Sequence, residues 1–67
     1  MQIKAIEMVR GTECGIGYVI NYQRNERFEV ERAERNVYGA VIVYNFLGQA
    51  RGLSENEDVE VLGHFNI

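Results

Sequence analysis

Proline and tryptophan are absent from the chain, and cysteine and histidine occur once each, at Cys14 and His64. A single thiol rules out an intramolecular disulfide, and one thiol with one imidazole falls short of the ligand set of a structural zinc site. No stretch approaches the length of a membrane-spanning helix, and the opening MQIKAIEMVRG lacks the apolar centre of a signal peptide. A lone thiol suits a reducing compartment, so the expectation is a soluble, cytoplasmic protein without membrane contact. A basic excess is missing as well. The formal charge is -3, and it is unevenly placed. Lys4 and Arg10 cancel Glu7 and Glu13, and Arg24, Arg27, Arg32 and Arg35 cancel Glu26, Glu29, Glu31 and Glu34. The remaining acidity follows residue 36, where Arg51 stands against Glu55, Glu57, Asp58 and Glu60.

A chain of 67 residues makes one domain near the lower limit for independent folding. A core of this size supplies about 3–5 kcal/mol, and small domains add a disulfide, a metal or a partner chain. With the first two excluded, a partner remains, and self-association as a dimer is expected.

The longest apolar run is Tyr38 to Leu47, YGAVIVYNFL. The β-branched Val41, Ile42 and Val43 suit a pleated strand. Alternation puts Tyr38, Ala40, Ile42, Tyr44 and Phe46 on one face and Gly39, Val41, Val43, Asn45 and Leu47 on the other. Both faces are apolar, although so short a chain forms one small core. One face lines that core and the other awaits a cover.

Around this run the pattern predicts a strand over Ile3 to Met8, bulged near Ala5, then a glycine-rich loop from Arg10 to Gly17. Gly15-Ile16-Gly17 lacks the third glycine of a dinucleotide fingerprint and the Lys-Ser/Thr of a P-loop, so it reads as a turn. Tyr18 to Tyr22 and Arg27 to Arg32 alternate as two strands of a hairpin across Gln23 to Glu26, with Phe28 and Val30 inward. Residues 26–35 also contain good helix formers, which leaves an α+β alternative with a helix there. Ala33 to Asn36 reads as a turn. Ser54 and Glu57 have capping-box spacing and predict one helical turn over 55–58. Val59 to Leu62 is the last strand, broken by Gly63 and followed by a tail, His64 to Ile67.

This order predicts an all-β fold of five strands with one helical turn before the last. Gly15-x-x-Tyr18-x-Ile20 and Ser54-x-x-Glu57-x-Val59-x-Val61 carry a likeness to SH3-like small barrels. The chain lacks the tryptophan and late proline of SH3 peptide binders, so proline-peptide recognition is not implied. It resembles rather the short, divergent SH3-like proteins encoded by bacteriophages and mobile elements. That resemblance implies a protein that binds and disables or modulates a host protein.

The chemistry in the residues points the same way. Cys14 and His64 have no spacing that selects a thiolate-imidazole pair, and no enzyme activity is expected. The acidic stretch lacks the alternation and glycine of a calcium loop, so no metal or other cofactor is expected. Four tyrosines offer stacking surfaces, but a nucleic-acid interface needs a net basic stripe, and here every arginine cluster is matched by glutamates. Tyrosine also favours protein interfaces. The expectation is therefore a non-catalytic interaction module, with a nucleic-acid barrel or a structural subunit of a larger assembly as alternatives. Tyr38, Tyr44 and Phe46 would anchor the partner. Glu55, Glu57 and Asp58 would form an acidic rim towards a basic partner surface. Arg51 would either pair with Glu55 or Glu57 or reach the partner.

Overall fold

Ala5, Met8, Val9 and Thr12 lie three, four and seven residues apart, which is the spacing of one helical face. The computed structural model describes residues 1–67 and places helix α1 there, over Ala5–Glu13, after a short strand β1, Gln2–Lys4. The expected strand over Ile3 to Met8 and loop from Arg10 are thus overturned. The first helical turn is held from far along the chain: the amides of Ala5 and Ile6 donate to the carbonyls of Glu57 and Glu55 at 2.9 and 3.0 Å. The Glu7 carboxylate accepts the Lys4 amide at 2.7 Å, which satisfies another terminal donor. At the other end Gly15 stops the helix with a φ of +89°, and its amide donates to the Thr12 carbonyl at 3.1 Å, a left-handed C-terminal cap.

Six further strands follow: β2 (Ile16–Tyr22), β3 (Glu26–Val30), β4 (Arg32–Arg35), β5 (Ala40–Tyr44), β6 (Ala50–Ser54) and β7 (Asp58–Asn66). They form an antiparallel four-stranded sheet in the order β1-β7-β2-β3 and an antiparallel three-stranded sheet in the order β4-β5-β6. The fold is mostly β with one short helix. It is not a closed barrel, because β6 does not pair with β7. Residues 26–35 are strand and not helix. The chain passes from one sheet to the other at Glu31, whose amide donates to the Tyr44 carbonyl at 2.8 Å. The turn expected at Ala33 to Asn36 lies later, since Ala33 is paired with Val43 and buried.

The core lies between the two sheets and α1. Tyr18, Ile20, Phe28, Val30, Val59 and Val61 come from the larger sheet, Ala33, Val41, Val43 and Leu53 from the smaller, and Ala5 and Met8 from the helix. Val41 and Val43 are wholly buried, while Ala40, Ile42 and Tyr44 are half-buried on the outer face of β5.

The C-terminal third differs from the pattern in two further ways. Residues 55–57 form a turn rather than a helical turn. The Glu57 carboxylate reaches back to the Ser54 amide at 3.1 Å, but the Glu57 amide is taken by the Ser54 carbonyl at 3.0 Å. Gly63 does not end the last strand. It sits opposite Val19, and the register shift between Val19 and Ile20 leaves Leu62 as the extra residue of a bulge. His64 to Asn66 therefore continue β7 alongside β2 instead of forming a tail.

Candidate functional site

The two hairpin loops of the smaller sheet are built to one plan. The β4–β5 loop reads Asn36-Val37-Tyr38-Gly39, and the β5–β6 loop reads Asn45-Phe46-Leu47-Gly48. The Asn36 side-chain oxygen accepts the amides of Tyr38 and Ala40 at 2.9 and 3.0 Å. The Asn45 oxygen accepts those of Leu47 and Gln49 at 3.1 and 2.9 Å. Each asparagine carbonyl also accepts the amide of the glycine three residues on. Gly39 and Gly48 adopt φ of +80° and +84°, which closes a three-residue hairpin loop and suits glycine.

This plan leaves two apolar side chains at each tip with nowhere to go but outward. Val37 and Tyr38 are 91% and 89% exposed, and Phe46 and Leu47 are 70% and 71% exposed. The tips stand at opposite ends of β5, about 17 Å apart at ~3.4 Å per strand residue. Tyr38 and Phe46 are thus not members of one strand face, as the run YGAVIVYNFL suggests, but belong to separate patches. Val37 and Leu47 went unrecognised as site residues. The signal that finds them is the repeated Asn-apolar-apolar-Gly, where asparagine and glycine mark turns.

Between the tips, the outer face of the smaller sheet carries Tyr44, whose ring lies 4.0 Å below the Arg32 guanidinium. Arg32 also pairs with Glu34 on the same face. Across β5, small residues line β6 at Ala50, Gly52 and Ser54, and Ile42 lies over Gly52.

Arg51 does not pair with Glu55 or Glu57. Its side chain grips Glu26 with two hydrogen bonds of 2.9 and 2.7 Å and stands 5.2 Å from the Phe28 ring centre. The Arg51 hydrogen bonds hold the Glu26 carboxyl below the usual carboxylate range. Each acidic residue after position 54 has an internal contact. Glu55 pairs with Arg35, Glu57 accepts the Ser54 amide, Asp58 pairs with Lys4 at 2.7 Å, and Glu60 accepts from Asn21 at 3.0 Å. The charge expected to face a partner is thus partly neutralised within the chain.

Cys14 caps the C-terminal end of α1, where its amide donates to Arg10 and Gly11. The His64 ring meets Tyr18 edge to face at 5.3 Å. Burial pushes the Tyr18 phenol up, and the negative charges of Glu7 and Cys14 add to it. No group of three or more potential metal-binding side chains converges. The surface depressions are open ones, at the β2–β3 turn, beside Thr12 and Ile67, and beside Ile16 and His64. No helix is long and apolar enough to cross a membrane.

No family model, curated protein or solved structure matches the chain.

Proposed function

We propose that this protein is a small, non-catalytic interaction module that acts by docking on another protein. The observation that carries the reading is the repeated, internally braced hairpin tip with exposed Val37-Tyr38 and Phe46-Leu47. Holding apolar side chains rigidly in water gains nothing for an isolated fold, whereas a preorganised apolar anchor lowers the ordering cost of binding. Tyr44, stacked under Arg32, extends the surface between the tips. The acidic turn at Glu55, Glu57 and Asp58 is a weaker contributor in this reading, because its charges are engaged internally; it tunes association with a basic partner surface. The strand order supports the likeness to divergent SH3-like barrels, with β7 returning to β2 after the β4-β5-β6 meander. With that likeness goes the proposal of a phage- or mobile-element-encoded modulator or inhibitor of a host protein.

The test is affinity capture from a lysate of the natural host cell, comparing the native protein with Tyr38→Ser and Phe46→Ser. Both side chains are mostly exposed and the substitutions leave the asparagine bracing intact, so the variants should fold. Truncating an anchoring aromatic costs ~2 kcal/mol or more, roughly thirtyfold in affinity, so the partner seen with the native protein should be lost from at least one variant. Equal capture by all three proteins would remove the tips from the interface. Salt-sensitive binding of single-stranded oligonucleotides, with no captured protein, would replace the reading by a nucleic-acid one.

A further inference from the structure

Exposed strand edges present unpaired amides and carbonyls to any passing strand, and folded proteins blunt them. Four edges here are blunted. Helix α1 packs against β4. β1 is three residues long and carries Lys4. β3 displays Glu26, Arg27 and Glu29. On β6, the ladder to β5 turns the backbone groups of Ala50, Gly52 and Ser54 outward, and side chains have taken three of these six. Tyr22 donates to the Gly52 carbonyl at 3.0 Å, Arg51 to the Ala50 carbonyl at 2.8 Å, and Glu57 accepts the Ser54 amide at 3.1 Å.

The second half of β7 has no such cover. Its pairing with β1 ends at Glu60, and the last bond on that side runs from the Val61 amide to the Met1 carbonyl at 2.7 Å. The Ile67 amide donates to the Gly15 carbonyl at 2.9 Å, so by antiparallel alternation Phe65 and Gly63 face β2 while His64 and Asn66 turn their backbone groups to the open side. Residues 61–67 contain no Asp, Glu, Lys or Arg, and Leu62 is 54% exposed. This is the one edge that no charge, side chain or helix protects.

We propose that residues 62–66 of β7 pair antiparallel with the same residues of a second copy, about a two-fold axis at His64. The open stretch is complementary to itself. Pairing centred on His64 sets the outward amide and carbonyl of each His64 against those of the other copy. It also brings the outward Asn66 amide opposite the Leu62 carbonyl, which the bulge turns outward while the Leu62 amide stays on the β2 side. No like charges are brought together, and Met1 on the edge marks where the second strand must stop. The result is a six-stranded sheet, β3-β2-β7 continued into β7-β2-β3 of the second copy. It is a closed two-fold contact and uses no residue of either hairpin tip, so it stands independently of the docking reading above.

Light scattering on a sizing column and amide hydrogen exchange test it on the native protein. The expected species has twice the 7.7 kDa chain mass, and the His64 and Asn66 amides should gain protection as concentration rises. His64→Pro removes an outward amide without touching the β2 ladder, and should weaken the dimer about tenfold or more. Gly52→Pro makes the same change on the β6 edge and should leave the dimer intact. Because the His64 ring contacts Tyr18, circular dichroism checks that His64→Pro is folded; if it is not, the exchange result on the native protein decides. A monomer at every concentration, unprotected His64 and Asn66 amides in the dimer, or an assembly broken by Gly52→Pro and not by folded His64→Pro would overturn the proposal.

Discussion

Two glycines decide how aromatic rings are seated. Gly11 is buried on α1, and a Cβ there would overlap the phenol of Tyr18, itself 7% exposed. Gly17 on β2 makes room in the same way for the Phe65 ring. Gly11→Ala therefore sets two effects against each other. Helix propensity gains about 1 kcal/mol, and overpacking a confined ring costs about 1–3 kcal/mol. The second should win, and the urea midpoint of Gly11→Ala should fall. A raised midpoint would show that the Tyr18 ring has room to move. Gly17→Ala should cost less, because Phe65 is half-exposed and its ring can swing towards solvent.

At the scale of elements, the hairpins depend on their asparagines more than on their apolar tips. Asn36→Ala leaves the Tyr38 and Ala40 amides without their acceptor, and Asn45→Ala does the same for Leu47 and Gln49. Each should lower stability by about 1–2 kcal/mol, since the amides regain water only in part. Aspartate separates the two loops. At position 36 only the side-chain oxygen is used, so Asn36→Asp should be close to neutral. At position 45 the amide nitrogen also donates to the Gln49 side chain at 2.7 Å, so Asn45→Asp should be the worse of the pair. Denaturation curves at neutral pH measure the difference, and equal costs at the two sites would mean that the Asn45–Gln49 side-chain bond adds nothing to stability.

For the molecule as a whole, Glu26 and Tyr18 each make stability depend on pH. The Glu26 carboxyl is lowered by its hydrogen bonds from Arg51, so its contribution is present above the ordinary carboxylate range and is lost as pH falls through the depressed value. The exposed position of the pair keeps that contribution small. The Tyr18 phenol is raised from its ordinary 10.0, chiefly by burial. Its contribution is present below that value and is lost as pH rises towards the raised one. Glu26→Gln should flatten part of the acid limb of a stability profile, and Tyr18→Phe part of the alkaline limb. An unchanged alkaline limb in Tyr18→Phe would mean that its ring is more hydrated than its burial implies.

Local pattern alone determined much of this protein. The alternation at Tyr18, Ile20, Phe28, Val30, Val59 and Val61 marks side chains that do enter the core, and Glu29 and Glu60 mark the opposite faces of their strands. The prevalence of strand and the hairpin between β2 and β3 follow from that alternation. The residues after Asn36 misled for a specific reason. An apolar run reads as one strand when its turns are themselves apolar, so the Asn-apolar-apolar-Gly loops were absorbed into YGAVIVYNFL. The N-terminal segment was ambiguous in another way, because Ile3, Ala5, Ile6, Met8 and Val9 satisfy neither strand parity and are too few to declare a helix unaided. The choice falls to carbonyls at Glu55 and Glu57, some fifty residues away, which hold the first helical amides. Tertiary structure also decided which face of β5 is inward, since Val41 and Ile42 are equally apolar and only the packing of α1 and the larger sheet distinguishes them. Hydrophobicity is a property of a residue, but burial and an open edge are properties of what lies beside it.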